Sequence, residues 1–373
     1  MRAEEAEQWF RRGAEAGDAG AMAYLGDLLQ QTGRVEEGVQ WYRRAAEAGL
    51  PKAMFNLGVL LSEADRVEAE QWFRRAIEAG HIGAMSNLGV LLSTAGRVEE
   101  GEQWFRSAAD AGHAGAMTSL GALLAMAGRV EEAEQWFRRA ADAGDTNAIY
   151  PLGVLLYQVG RADEAEQWFR RAADAGHTGA MTSLANLLVD RGRVEDAEQW
   201  DRRAAEAGNT LAMTNLGFLL NQRGRVEEAE QWYRRGAEAG DTDAMTNLGV
   251  LLSEMGRVEE AEQWDRRAAD AGNTFAMTNL GNRLLDGGRF EEAEQWFRRA
   301  AEAGQTLALH KLGFLLYQMG RVEEAEQWYR RGADAGDTGA MHNVGVLLSE
   351  MGRDEEAEQW FRRAAVSEGR EQT

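Results

Sequence analysis

The chain has 373 residues, a formal charge of −21 and no cysteine. The missing thiols exclude disulfides, thiol catalysis and thiolate metal sites, and the acidic balance makes phosphate backbones and anionic membranes poor partners, so neither nucleic acid nor membrane binding is expected. The opening MRAEEAEQW has no apolar signal core and no run approaches a membrane-spanning length, which points to a soluble, cytoplasmic protein.

A repeat sets the predicted elements. All twelve tryptophans, from Trp9 and Trp41 to Trp360, recur at intervals of 32 residues, except for 31 between Trp41 and Trp72, where RVEAEQW is one residue shorter than RVEEAEQW. We number the unit 1 to 32 on TDAMTNLGVLLSEMGRVEEAEQWDRRAADAGN, residues 242–273. In its first half Ala, Met, Leu, Gly, Leu and Leu at positions 3, 4, 7, 8, 10 and 11 fall on one side of a helix, here called helix A. A glycine at position 15, Gly256 in this unit, ends it in a left-handed conformation. The second half, helix B, carries a stripe of Val, Ala, Trp, Phe or Tyr, Ala and Ala, with Glu at position 21 and Arg at 25 as a solvated pair worth about 0.2–0.5 kcal/mol. A second glycine at position 31 ends helix B, and Thr, Asp or Asn then caps the next helix A. Each tryptophan would bury roughly 150–250 Å², on the order of 4–6 kcal/mol gross, and so anchors neighbouring helices.

In chain order, the sequence enters within a unit, predicting an unpaired helix B around Trp9. In the second unit Asp65 stands where the turn glycine belongs, beside the one-residue deletion, and Pro51 sits at a helix start. Pro151, inside a helix A, removes a backbone donor and predicts an irregularity around 146–157 that separates two groove segments. Asp201 and Asp265 each replace the aromatic of position 24. There a buried carboxylate needs either solvent or an arginine, and both duplication of a two-unit block and a softened joint account for the pair. Stacking of amphipathic helix pairs gives an all-α chain: one α-solenoid over 1–366 of about eleven helix-turn-helix repeats plus the unpaired helix, with a short tail over 367–373.

The phrase AMTNLGVLLSEMGRVEEAEQWYRRAAEAG resembles the tetratricopeptide repeat, with Leu-Gly at positions 7 and 8, Gly at 15, Ala at 20, an aromatic at 24 and Ala at 27. It departs from that pattern in being two residues shorter than the usual 34 and in lacking the terminal proline. The ending WYRRAAEAGDT also resembles the Sel-one-like repeat, without its longer interhelical insertion. Both resemblances imply a right-handed superhelix with helix A lining the concave surface.

Between copies, positions 4, 7, 10, 11, 16 and 23 hardly change, whereas 2, 5, 9, 12 and 13 vary on one face of helix A. Two readings stand, drift at solvated sites and a partner-binding groove. The groove reading rests on aromatics at Phe55, Tyr150, Tyr157, Phe218, Phe275, Phe314 and Tyr317. It also rests on Asn56, Asn87, Asn215, Asn247, Asn279 and Asn343 at position 6, which resemble the asparagine ladder that holds a peptide backbone in some tetratricopeptide grooves. Ser119, Pro151 and Ser183 interrupt that ladder, and Lys311 replaces one rung. His310 and His342 share position 5 of adjacent units and read as polar groove lining; His81, His113 and His177 fall in turns. No metal site, cofactor or hydrolase constellation is expected. The expected function is a non-enzymatic scaffold that binds a protein or peptide. The alternatives are a sensor array working with an effector encoded elsewhere and, since the ends lack polar caps, end-to-end self-association.

Overall fold

The computed structural model describes the backbone of residues 2–371 and the side chains of 5–367. Among the described residues every element is helical. The A helices are α2 (Ala19–Gln31), α4 (Pro51–Leu61), α6 (Ile82–Thr94), α8 (Ala114–Met126), α10 (Ile149–Gln158), α12 (Thr178–Asp190), α14 (Thr210–Gln222), α16 (Thr242–Glu254), α18 (Thr274–Asp286), α20 (Thr306–Gln318) and α22 (Thr338–Glu350). The B helices are α1 (Arg2–Glu15), α3 (Val35–Glu47), α5 (Arg66–Glu78), α7 (Val98–Asp110), α9 (Val130–Asp142), α11 (Ala162–Asp174), α13 (Val194–Glu206), α15 (Val226–Glu238), α17 (Val258–Asp270), α19 (Phe290–Glu302), α21 (Val322–Asp334) and α23 (Asp354–Glu371). The chain forms two compact units, one ending at Leu187 and one beginning at Leu188, and each is a helical-repeat solenoid.

The turns follow from glycine's freedom. Gly128 and Gly144 take φ of 73° and 90°, where a side chain would be strained. Asp65 needs no such freedom. With one residue fewer in the turn it becomes the extended N-cap of α5, and its carboxylate accepts from the amides of Val67 and Glu68. Pro51 occupies the first turn of α4. Pro151 has the delaying effect expected of it: residues Thr146–Ala148 wind as a short 3₁₀ turn before α10 begins.

In the core, the aromatic of position 24 lies on the glycine of position 8. A Cβ on Gly121 would stand 2.8 Å from Phe137 Cδ1, and one on Gly281 2.5 Å from Phe297 Cε1, so glycine is required for the helices to approach this closely. Trp41, Trp72, Trp136, Trp200, Trp232, Trp264, Trp296 and Trp328 are buried, each under a guanidinium three residues on, as with Arg139 at 4.1 Å from the Trp136 ring centroid. Trp104 and Trp168 are half-buried, and Trp9 is 73% exposed.

The charged face of helix B does more than pair with itself. Arg138 bonds Glu134 on its own helix at 2.8 Å and Glu164 on α11 at 2.9 Å, while Arg161 bonds Glu164 at 2.7 Å and reaches back to Glu134 at 2.5 Å. The invariant arginine of position 16 thus closes a four-membered cycle between consecutive repeats, repeated in the second unit by Arg257 on Glu230 and Glu260. Its hydrogen bond holds the Glu164 carboxyl below the usual range. Exposed pairs are individually weak, but a shared network fixes the register of neighbouring B helices.

Candidate partner-binding face

The variable residues of helix A separate into two classes. Positions 2, 9 and 12 are open to solvent: Leu211, Phe218, Phe275, Leu307, Phe314 and Tyr317 in the second unit, Val59, Val90 and Tyr157 in the first. Phe275 is 65% and Phe218 52% exposed, high values for aromatic rings.

Position 5 is instead turned toward the next repeat, where it meets position 32. Phe55 stacks on His81 with ring centroids 4.4 Å apart, and Tyr150 on His177 at 4.5 Å. Thr118 donates to Asp145 at 2.6 Å and Thr278 to Gln305 at 2.9 Å. Thr214, Thr246 and Thr278 are buried, their hydroxyls bonded to carbonyls four residues back. This rule relocates three residues read from the sequence as groove lining, Phe55, Tyr150 and His310. Phe55 lies between repeats, and His310 faces Asp337 across 3.4 Å while its Nε2 accepts from Asn343 at 2.9 Å. His342 is exposed, its ring 5.3 Å from Phe361, so the two histidines have different neighbours.

The position 6 side chains Asn56, Asn87, Asn215, Asn247, Asn279, Lys311 and Asn343 are all half-buried beside the open row. Among the described residues, the amides of Asn87, Asn247 and Asn279 make no side-chain hydrogen bond, and Lys311 makes no ion pair.

Cavities recur in one register, each between consecutive A helices and each floored by the aromatic of position 24. In the first unit Phe105 lies under a cavity of about 550 Å³ with Val90, Leu123 and Met126, and Phe169 under one of about 360 Å³ with Tyr150, Tyr157 and Leu187. In the second, Tyr329 floors a cavity of about 130 Å³ lined by Phe314, Tyr317, Asn343, Val346, Leu347 and Glu350. Burial pushes the Tyr329 hydroxyl up to about 12, so it remains a neutral donor.

Asp265 replaces that floor between α16 and α18. It is fully buried and paired with Arg283, at 2.6 Å; Arg283 also bonds Ser253 Oγ and, at 2.8 Å, the Gly249 carbonyl. Burial lifts the Asp265 carboxyl to about 6 against the opposing pull of Arg283. Asp201 is equally buried, but Leu219 occupies the place equivalent to Arg283; Oδ1 of Asp201, like Oδ1 of Asp265, has no hydrogen-bond partner. Burial pushes the Asp201 carboxyl up to about 8. Among the described residues no group of three His, Asp or Glu could hold a metal ion, and no helix is long and apolar enough to cross a membrane.

This helix pairing has known relatives. Residues 25–81, 87–148, 182–244 and 278–340 match the tetratricopeptide repeat. The chain belongs to the tetratricopeptide repeat family. Further tetratricopeptide matches fall at 150–171, 242–271 and 338–366, and residues 3–18 match the Sel1 repeat. A Sel1 repeat protein from Oxalobacter formigenes is similar in structure, with 28% identity and a TM-score of 0.59 over 74% of this chain and 90% of that one. Yeast Tom70 aligns with 13% identity and a TM-score of 0.45, covering 93% of this chain and 91% of that one. No curated protein matches the sequence. Tetratricopeptide and Sel1 repeats are chiefly protein-interaction scaffolds, and such folds are typically not enzymes.

Proposed function

We propose that the open face of the A helices is a groove that holds an extended segment of a protein partner, and that the chain acts as a binding scaffold without catalysis. The observation that carries this reading is the coincidence on one face of exposed rings, Phe218, Phe275, Phe314 and Tyr317, with the unsatisfied amides of Asn247 and Asn279. Aromatic side chains supply contact area at low entropic cost. A free carboxamide offers a donor and an acceptor to a peptide backbone. Asn215 and Asn343 extend that row, and Lys311 serves it as a donor to partner carbonyls. Tyr157, with Asn56 and Asn87 beside the open valines, gives the first unit a similar surface, and His342 lies at the edge of the second.

Affinity capture from the source cell tests this, comparing the native chain with one carrying Phe218→Ser, Phe275→Ser and Phe314→Ser. These rings are exposed, so folding is retained while specific partners are lost. Capture of the same proteins by both chains would disprove the groove.

A further inference from the structure

The cavity over Tyr329 differs from those over Phe105 and Phe169 in having a carboxylate in its lining. About 130 Å³ is far below the roughly 300–1,000 Å³ of sites that take whole drug-sized ligands, so it admits one side chain or one head group. Three of its seven lining residues are aromatic, Phe314, Tyr317 and Tyr329, and Val346 and Leu347 complete an apolar wall. A neutral apolar group would suit such a lining, were it not for Glu350.

That carboxylate belongs to the same lining and accepts from the Tyr317 hydroxyl at 2.8 Å. Among the described residues it has no cationic partner, whereas the helix B carboxylates at positions 19 and 21 are bonded by arginine throughout most of the chain. The Glu350 hydrogen bond raises the Tyr317 pKa, so the phenol stays protonated as the donor of this contact. Aromatic walls with one uncompensated negative charge attract a cation whose own surface is greasy. An ammonium bearing methyl groups fits this description, because its charge is spread over C–H bonds and little hydration must be removed. The larger cavity over Phe105 has neither a tyrosine nor a carboxylate in its lining.

We propose that the pocket formed by Phe314, Tyr317, Tyr329 and Glu350 binds an alkylated ammonium group. This rests on the reading of the helix A face as a binding surface. Two sources share the chemistry, a free choline-like molecule and a methylated lysine side chain on a partner.

The test is calorimetric titration of the full chain with tetramethylammonium chloride, choline, N-acetyl-trimethyllysine methylamide and the uncharged choline isostere 3,3-dimethylbutanol. Saturable binding of the three cations, and about tenfold weaker binding of the isostere, is expected. Tighter choline or tighter trimethyllysine binding tells the sources apart. Glu350→Gln and Phe314→Leu should each weaken tetramethylammonium about fivefold to tenfold without lowering the thermal midpoint. Equal binding of the isostere, unchanged affinity in Glu350→Gln, or no saturable cation binding overturns the site. In those cases a chain with only Phe218→Ser and Phe275→Ser separates the two readings. If it still loses captured partners, the groove stands and the ammonium site alone falls.

Discussion

Asp265 Oδ2 and Arg283 Nε lie 2.6 Å apart, 18 residues apart in sequence, with the carboxylate fully buried and the guanidinium side chain 12% exposed. The same two places hold Phe297 with Leu315 and Tyr233 with Leu251 in neighbouring repeats, all buried. An ion pair therefore replaces an apolar contact at one joint. Arg283→Leu alone strands a buried carboxylate and should cost about 3 kcal/mol. The double variant Asp265→Phe, Arg283→Leu restores the usual contact, since Gly249 leaves the ring the room that Gly281 leaves Phe297. It should match or exceed the native chain in stability. Because a repeat array need not unfold in one step, hydrogen exchange of α17 and α18 amides is the suitable measurement. Equal protection in Arg283→Leu and the native chain would show that the pair carries no energy.

Asp201 gives stability a pH dependence of definite sign. Its folded pKa is pushed up to about 8 from an ordinary 3.8, so between these values the unfolded chain has released a proton that the folded chain retains. The stability this group contributes is complete below pH 4 and is lost as pH rises toward 8. At pH 7 the loss is roughly 3–5 kcal/mol. Asp201→Asn should remove the slope and raise stability at pH 7, with little change at pH 4. Denaturant unfolding at both pH values, monitored by amide exchange in α13 and α14, measures it; an equal response at both would mean the carboxyl is not held neutral.

Much of the fold is legible in the 32-residue spacing because each helix must present the same stripe to the same neighbour. Contacts that cross a joint are harder to see. Phe55 with His81, Tyr150 with His177 and Thr118 with Asp145 are visible as residues, but their separations match no helical period, so the variable face of helix A by itself places Phe55 and Tyr150 in the groove. Arg283 was equally visible as a charge in a leucine row. Only knowing that position 24 meets position 10 of the next repeat links it to Asp265. Comparing odd residues across adjacent units would have found that pair. The cavities were illegible for another reason: helix separation, which no single position encodes, determines their volume.

Close approach at the position 8 glycines can be tested in a joint whose position 24 residue is apolar. Gly121→Ala places a methyl group 2.8 Å from Phe137 Cδ1. Alanine would favour an exposed helix by up to about 1 kcal/mol. Here overpacking of about 1–3 kcal/mol outweighs that gain, and net destabilisation is expected. Adding Phe137→Leu, which removes the ring, should recover part of the loss. Thermal unfolding of both variants checks the order, and a Gly121→Ala chain more stable than the native one would mean the helices separate freely.

Pro151 accounts for the one A helix that starts late. In α14, which begins at Thr210, the equivalent residue is Asn215, and the helix continues through it from its first turn. Pro151 has no amide hydrogen to bond the carbonyl of Asn147, and the chain closes Thr146–Ala148 as a tighter turn, with the Ile149 amide donating to the Thr146 carbonyl. Pro151→Asn restores that donor and supplies the position 6 side chain common elsewhere. The α-helix should then begin at Thr146, with stability raised by about 1–3 kcal/mol. Amide exchange at residue 151 reads this directly: slow exchange is expected, and fast exchange with an unchanged 3₁₀ turn would assign the late start to the packing of Tyr150 on His177.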